Sequence, residues 1–131
     1  MVLYAHTSTG QAVWVTSWPF GEYVRHAWPG AWVCSAFRNE GAGVASEMIR
    51  DALACTVATF GLAAPGMVTF INRKKVRPTK VRGVDVWGWT FLRAGFRVCG
   101  ETAGGLMALW IDAADMPAPA LPTLPLMAAA A

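Results

Sequence analysis

Between Val44 and Phe60, Ala45, Met48, Ile49, Ala52, Leu53 and Thr56 recur at intervals of three and four, while Glu47, Arg50 and Asp51 share the other side. That spacing predicts an amphipathic helix. Gly61 is placed to stop it, and the Ala63-Ala64-Pro65-Gly66 turn hands the chain to a short buried strand, Met67–Ile71. Before the helix, Ala31–Phe37 is nearly continuous in apolar and aromatic residues, the pattern of a central strand covered on both faces. Ala12–Thr16 reads as a further strand, and Pro19 opens a short helix running to about Trp28, which Pro29-Gly30 ends.

Downstream, Asn72 to Gly83 contains Pro78 and no periodicity, which predicts an exposed loop. Asp85 as N-cap and Gly95 just past the last turn bracket a helix over Val86 to Ala94, weakened by Gly88. Two short strands, Phe96–Glu101 and Leu106–Ile111, meet at Thr102–Gly105. Residues 1–116 thus read as one α/β domain. Residues 117–131, rich in proline and alanine and uncharged, read as a flexible tail that can make a polyproline-like contact with a neighbour.

A chain of 131 residues that is 55% apolar can bury one sizeable core but not two. Ala52 to Asn72 carries no charge and has the length of a membrane span, but Gly61, Pro65 and Gly66 break it, so no membrane segment is expected. The first residues lack a basic region followed by a long apolar one, and Cys34, Cys55 and Cys99 are odd in number with no C-x-x-C spacing. Both features suit free thiols in a reducing cytoplasm. His6 and His26 have no metal-ligand spacing, so no metal is expected.

Two stretches carry candidate chemistry. The first is the corner Arg38-Asn39-Glu40-Gly41-Ala42-Gly43 between the central strand and the long helix, where glycines and a helix N-terminus together offer backbone N–H groups to a phosphate. By itself it can also be an ordinary tight connection. The second is basic: eight of the eleven cations lie between Arg73 and Arg97, with Asp85 the one acid among them. Arg73, Lys74, Lys75, Arg77, Lys80 and Arg82 can meet several nucleic-acid phosphates, form a solvated face, or grip a single phosphate group. Trp87 and Trp89 follow; exposed, they can stack on a base, and buried, they are core.

The corner Arg38-x-x-Gly41-x-Gly43 after an apolar strand resembles motif A of the GNAT N-acetyltransferase superfamily, and Phe91-Leu-Arg-Ala-Gly95-Phe96 resembles the superfamily's late helix-to-strand signature. The run Phe37–Glu40 with Ser46, the basic loop, Ala94–Phe96 and Gly104–Leu106 looks closest to small phage proteins similar to the Mom-type DNA-modification acyltransferases. This resemblance, over roughly residues 31–111, implies a central mixed, splayed β-sheet flanked by helices and shortened at its N-terminus. It also implies an acetyl-CoA or other acyl-CoA donor, held by Ala36, Phe37, Arg38, Gly41, Ala42, Gly43, Val44 and Ser46.

The implied acceptor is an amine of DNA or of a modified nucleobase, at a site that is open or completed by a second subunit of a homodimer. A small-molecule amine and a non-enzymatic nucleic-acid-binding role are the alternatives. Candidate proton-transfer groups are Glu22, Tyr23 and His26 on the short helix, Ser35 on the central strand and Glu40 at the corner. Where many members place a tyrosine four residues before the glycine of the Gly-Phe pair, this chain has Phe91, which has no proton to donate.

Overall fold

The computed structural model describes residues 1–17, 30–61 and 65–121. The short helix expected after Pro19, with Glu22, Tyr23 and His26, lies outside the described residues, as does the chain beyond 121.

In chain order the elements are β1 (Val2–His6), β2 (Gln11–Ser17), β3 (Trp32–Glu40), α1 (Ala45–Phe60), β4 (Gly66–Ile71), β5 (Thr79–Val81), β6 (Val84–Val86), α2 (Trp89–Arg93), β7 (Arg97–Glu101) and β8 (Met107–Asp112). Six strands form one sheet in the order β1-β2-β3-β4-β8-β7, while β5 and β6 form a separate hairpin. Among the described strands the β3–β4 pair alone is parallel, because α1 carries the chain back over the sheet between them. This is a mixed sheet with helices, an α/β domain. No helix among the described residues is long and apolar enough to cross a membrane.

One face of the sheet is buried by α1, whose Ile49, Leu53 and Val57 pack with Trp14, Trp32, Met67, Leu109 and Ile111. Alternation along β4 and β8 puts Val68, Ala108 and Trp110 on the other face with Ala31. Helix α1 ends where the periodicity predicts, at Gly61, which takes φ 76° while its N–H bonds the Val57 carbonyl at 2.7 Å.

Helix α2 ends in a Schellman motif: Phe96 N–H donates to Phe91 O and Gly95 N–H to Leu92 O, with Gly95 at φ 113°. The Phe96 ring packs edge-on against Phe91, centroids 5.2 Å apart, supplying the apolar contact that accompanies this cap. The Gly95-Phe96 pair therefore has a local mechanical reason. Arg50 of α1 adds to it by donating to the Ala94 carbonyl at 2.7 Å.

Several expectations are corrected. Asp85 is not a helix cap; it sits in β6 opposite Lys80, 2.9 Å away, and α2 starts later, after Gly88 at φ 71°. Segment 72–83 is not all loop, because Thr79–Val81 within it forms β5. Strand β3 continues through Glu40 instead of ending at Phe37, and β1 was not anticipated. Met116, the last residue of the expected domain, is buried, and beyond it Ala120 N–H is bonded to Ala54 O at 3.2 Å.

Candidate functional site

Parallel pairing of β3 with β4 covers Trp32–Cys34 against Met67–Thr69 and then stops, although both strands continue. The cause lies one strand away. In β2, Thr16 faces Cys34 and Val15 faces Ala36, so Ser35 is an extra residue without a partner, a bulge that bends β3 and increases its twist. The Thr69 hydroxyl donates to the Cys34 carbonyl at 3.0 Å at the last paired position.

Beyond that point the strands part around a cleft of about 310 Å³. Its walls are Ser35, Ala36 and Phe37 from β3, Thr69–Asn72 from β4 and its following turn, Val76, Arg77 and Thr79, and the Gly88–Phe91 stretch at α2. The β3 edge facing this cleft has no ladder partner among the described residues, so its peptide groups can bind an extended amide-bearing chain. Phe37 forms an aromatic wall, packing edge-on against Trp14 at 6.1 Å and Phe91 at 6.2 Å.

The corner before α1 is anchored through its carbonyls. Thr9 Oγ1 donates to Gly41 O at 2.6 Å, Thr7 Oγ1 to Ala42 O at 2.9 Å, and Asn39 Nδ2 to Gly43 O at 2.8 Å. In a trans peptide the N–H points opposite to the C=O, so the Gly43 and Val44 amides are turned away from these three side chains. Helix α1 begins with Val44 in an extended conformation and no side chain capping its N-terminus; its first internal bond is Met48 N–H to Val44 O at 3.0 Å. The Val44–Glu47 amides therefore have no helical partner.

One expected phosphate donor is corrected: the Ala42 N–H is already bonded to Asn39 Oδ1 at 3.0 Å. Glu47 stands in the first turn of α1, where its carboxylate shares the same positive helix end. The two glycines also differ. Gly41 adopts φ 77° and a Cβ there would sit 3.1 Å from the Thr9 carbonyl oxygen, whereas Gly43 is outside the left-handed region and its Cβ would meet only the flexible Met48 side chain at 3.5 Å. Gly41 is required by the backbone. Gly43 has no such requirement.

Of the proton-transfer candidates among the described residues, Ser35 lies in the cleft and Glu40 does not; Glu22, Tyr23 and His26 are outside the described residues. Glu40 is removed from it, with Oε1 held by Arg38 Nε at 2.8 Å and Oε2 accepting from Gln11 Nε2 at 3.1 Å. Tyr4 donates to the same Gln11, and these residues line a separate surface depression of about 200 Å³. Both Glu40 oxygens therefore have partners at the surface, away from the cleft, and the Arg38 side chain is paired with it. A hydroxyl that sequence reasoning missed is Thr90, in the cleft beside Phe91; its nearness to the β3 edge is a tertiary fact with no signal in the local pattern.

The basic region divides in two. Arg73 pairs with Glu101 and Lys80 with Asp85, while Lys74, Lys75, Arg77 and Arg82 form no ion pair among the described residues. Trp87 is half-buried against the core and donates its indole N–H to the Val76 carbonyl at 2.9 Å, so it is structural. Trp89 instead lines the cleft, with the Arg93 guanidinium 5.9 Å from its ring centroid.

The thiols are not set up as nucleophiles. Burial pushes Cys34 up to about 12, and burial also raises Cys55 and Cys99. On the far edge of the sheet, the hydrogen bonds from Arg97 and from the Trp110 indole hold the Asp112 carboxyl below its ordinary range. The described residues contain no group of three His, Cys, Asp or Glu that could hold a metal ion. Comparison with family models, with curated proteins and with solved structures returned no match.

Proposed function

We infer that the protein is an acyl-CoA-dependent N-acyltransferase of GNAT type, acting on an amine of DNA or of a modified nucleobase. The observation that carries this reading is the interrupted β3–β4 pair: a bulge at Ser35, an unpaired β3 edge, and a cleft of about 310 Å³ next to it. An extended pantetheine arm has amide groups that such an edge can pair with, and the Gly43 to Ser46 amides before and within the first turn of α1 are suited to a pyrophosphate. The acyl carbonyl then lies where β3 and β4 separate.

Catalysis there is mainly positioning, with the amine held against the thioester while backbone donors on the β3 edge polarise the carbonyl. Nitrogen attacks the carbonyl carbon, the C–S bond breaks, and the proton lost by nitrogen leaves through water or Ser35. Phe91 cannot protonate the departing thiolate; Thr90, in the same cleft, has a hydroxyl that can relay a proton from water. The test is acetyl-CoA binding by calorimetry with wild type and Gly43→Val, followed by mass analysis of nucleosides from DNA incubated with enzyme and acetyl-CoA. Binding abolished by Gly43→Val and a nucleoside heavier by one acyl group are the expected results.

The non-catalytic reading has its own support. One corner amide is already occupied by Asn39, Phe91 replaces the hydroxyl of the family pattern, and four cations form no ion pair among the described residues. Under that reading the protein binds nucleic acid and acetyl-CoA leaves its melting temperature unchanged.

A further inference from the structure

The β5–β6 hairpin is joined by two residues, Arg82 and Gly83, with φ 52° and 80°, a type I′ turn. Asn-Gly is the favoured pair for this turn, because asparagine tolerates the left-handed region that strains other side chains. Arg82 is the one non-glycine residue with positive φ among the described residues. A strained, exposed arginine with no acidic partner among the described residues does nothing for the turn that asparagine would not do better. Strain of this kind points to a function for the side chain.

The surroundings make the hairpin a prepared projection. Lys80 and Asp85 pair across its stem at 2.9 Å, so the stem is neutral and the tip is cationic. At its base the Trp87 indole binds the Val76 carbonyl and Arg73 binds Glu101 of β7, fixing the turn that carries Lys74, Lys75 and Arg77. Across the two-residue turn from Val81, two positions after Arg82, stands Val84, 63% exposed. The base of the hairpin, Thr79, is a wall of the cleft, and three residues of strand place the tip about 10 Å from it.

We propose that this hairpin is a duplex-opening wedge: Arg82 and Val84 enter a groove of double-stranded DNA, Lys74, Lys75 and Arg77 hold the flanking phosphates, and the displaced base enters the cleft beside Trp89. The proposal rests on the nucleic-acid acceptor of the preceding section. A two-stranded ribbon fits the major groove, which is about 12 Å wide. An apolar side chain pushed between two base pairs partly unstacks them, and a base in a stacked duplex cannot otherwise reach a cleft.

The test uses a 20-base-pair DNA duplex with 2-aminopurine at one position, whose fluorescence rises on unstacking, and three variants of the full chain. Arg82→Asn is expected to weaken duplex affinity about tenfold without lowering the melting temperature, since asparagine suits the turn. Val84→Ser keeps most of the affinity but loses the fluorescence rise. Lys74→Ala with Lys75→Ala lowers affinity and flattens its salt dependence, with the fluorescence rise retained at saturation. Full duplex affinity in Arg82→Asn, or an unchanged fluorescence rise in Val84→Ser, overturns the wedge. If the wedge fails while the lysine variant still loses affinity, the acceptor reading survives; if wild type binds no duplex at all, both fall.

Discussion

The two flanks of β4 are built for different ends. Toward β8 all six residues of β4, Gly66–Ile71, are paired, and Gly66 lies so close that a Cβ would fall 2.3 Å from the Ile111 carbonyl oxygen. Toward β3 pairing covers three residues before the Ser35 bulge turns the strand away. A buried sheet normally satisfies its backbone groups, so an interior pair that gives up its ladder midway leaves peptide groups with which a ligand can pair. Stability resides on one flank and the candidate chemistry on the other.

That contrast can be broken by mutation. Leu109→Ala, on the closed flank at 0% exposure, should cost about 2–5 kcal/mol in urea unfolding. Phe37→Ala, on the open flank, should cost less despite its larger ring, because that ring is only partly buried. If the order is reversed, the cleft is core rather than site. At the corner, Gly41→Ala should lose about 1–2 kcal/mol through its positive φ, while Gly43→Ala stays within about 0.5 kcal/mol of wild type yet binds acetyl-CoA more weakly. Equal stability losses would remove the distinction between a structural and a ligand-facing glycine.

Smaller again is Ser35→Ala, with unfolding free energy within about 0.5 kcal/mol of wild type and a lowered turnover of amine acceptor. The last effect concerns pH. Asp112 is held below its ordinary 3.8 by Arg97 and Trp110, so its contribution to stability is present above that value and is lost as pH falls through the lower folded value. Melting temperatures of wild type and Asp112→Asn should therefore converge between about pH 4 and pH 2. Parallel curves would show that this exposed pair contributes nothing.

What was legible in the sequence was what periodicity encodes. Helix α1, β4, β7 and β8 sit within a residue or two of their expected places: α1, β4 and β8 bury one face or two and show it locally, while β7, exposed along its length, is bracketed by Gly95 and the Thr102–Gly105 turn. The hairpin escaped notice since three-residue strands of mixed charge have no period, and Pro78 argued for loop. Asp85 was misread because an acid before an apolar run is also what a cross-strand partner of Lys80 looks like.

The site was legible only in part. The glycines of the corner could be named, but that Asn39 occupies the Ala42 amide, that Glu40 is held by Arg38 and Gln11, and that Thr90 joins the cleft all depend on contacts between distant segments. The bulge at Ser35 has no sequence signal at all; it is set by register against β2. Separation of Trp87 from Trp89, one anchoring a turn and one facing the cleft, is likewise a tertiary outcome.

The account turns on whether the corner and the open β3 edge together hold an acyl-CoA, and thermal unfolding with and without acetyl-CoA measures this directly. At a hundredfold excess over Kd the ligand should stabilise wild type by about 2.7 kcal/mol, a rise of several degrees, and leave Gly43→Val unmoved. A wild-type melting temperature indifferent to millimolar acetyl-CoA would contradict the account.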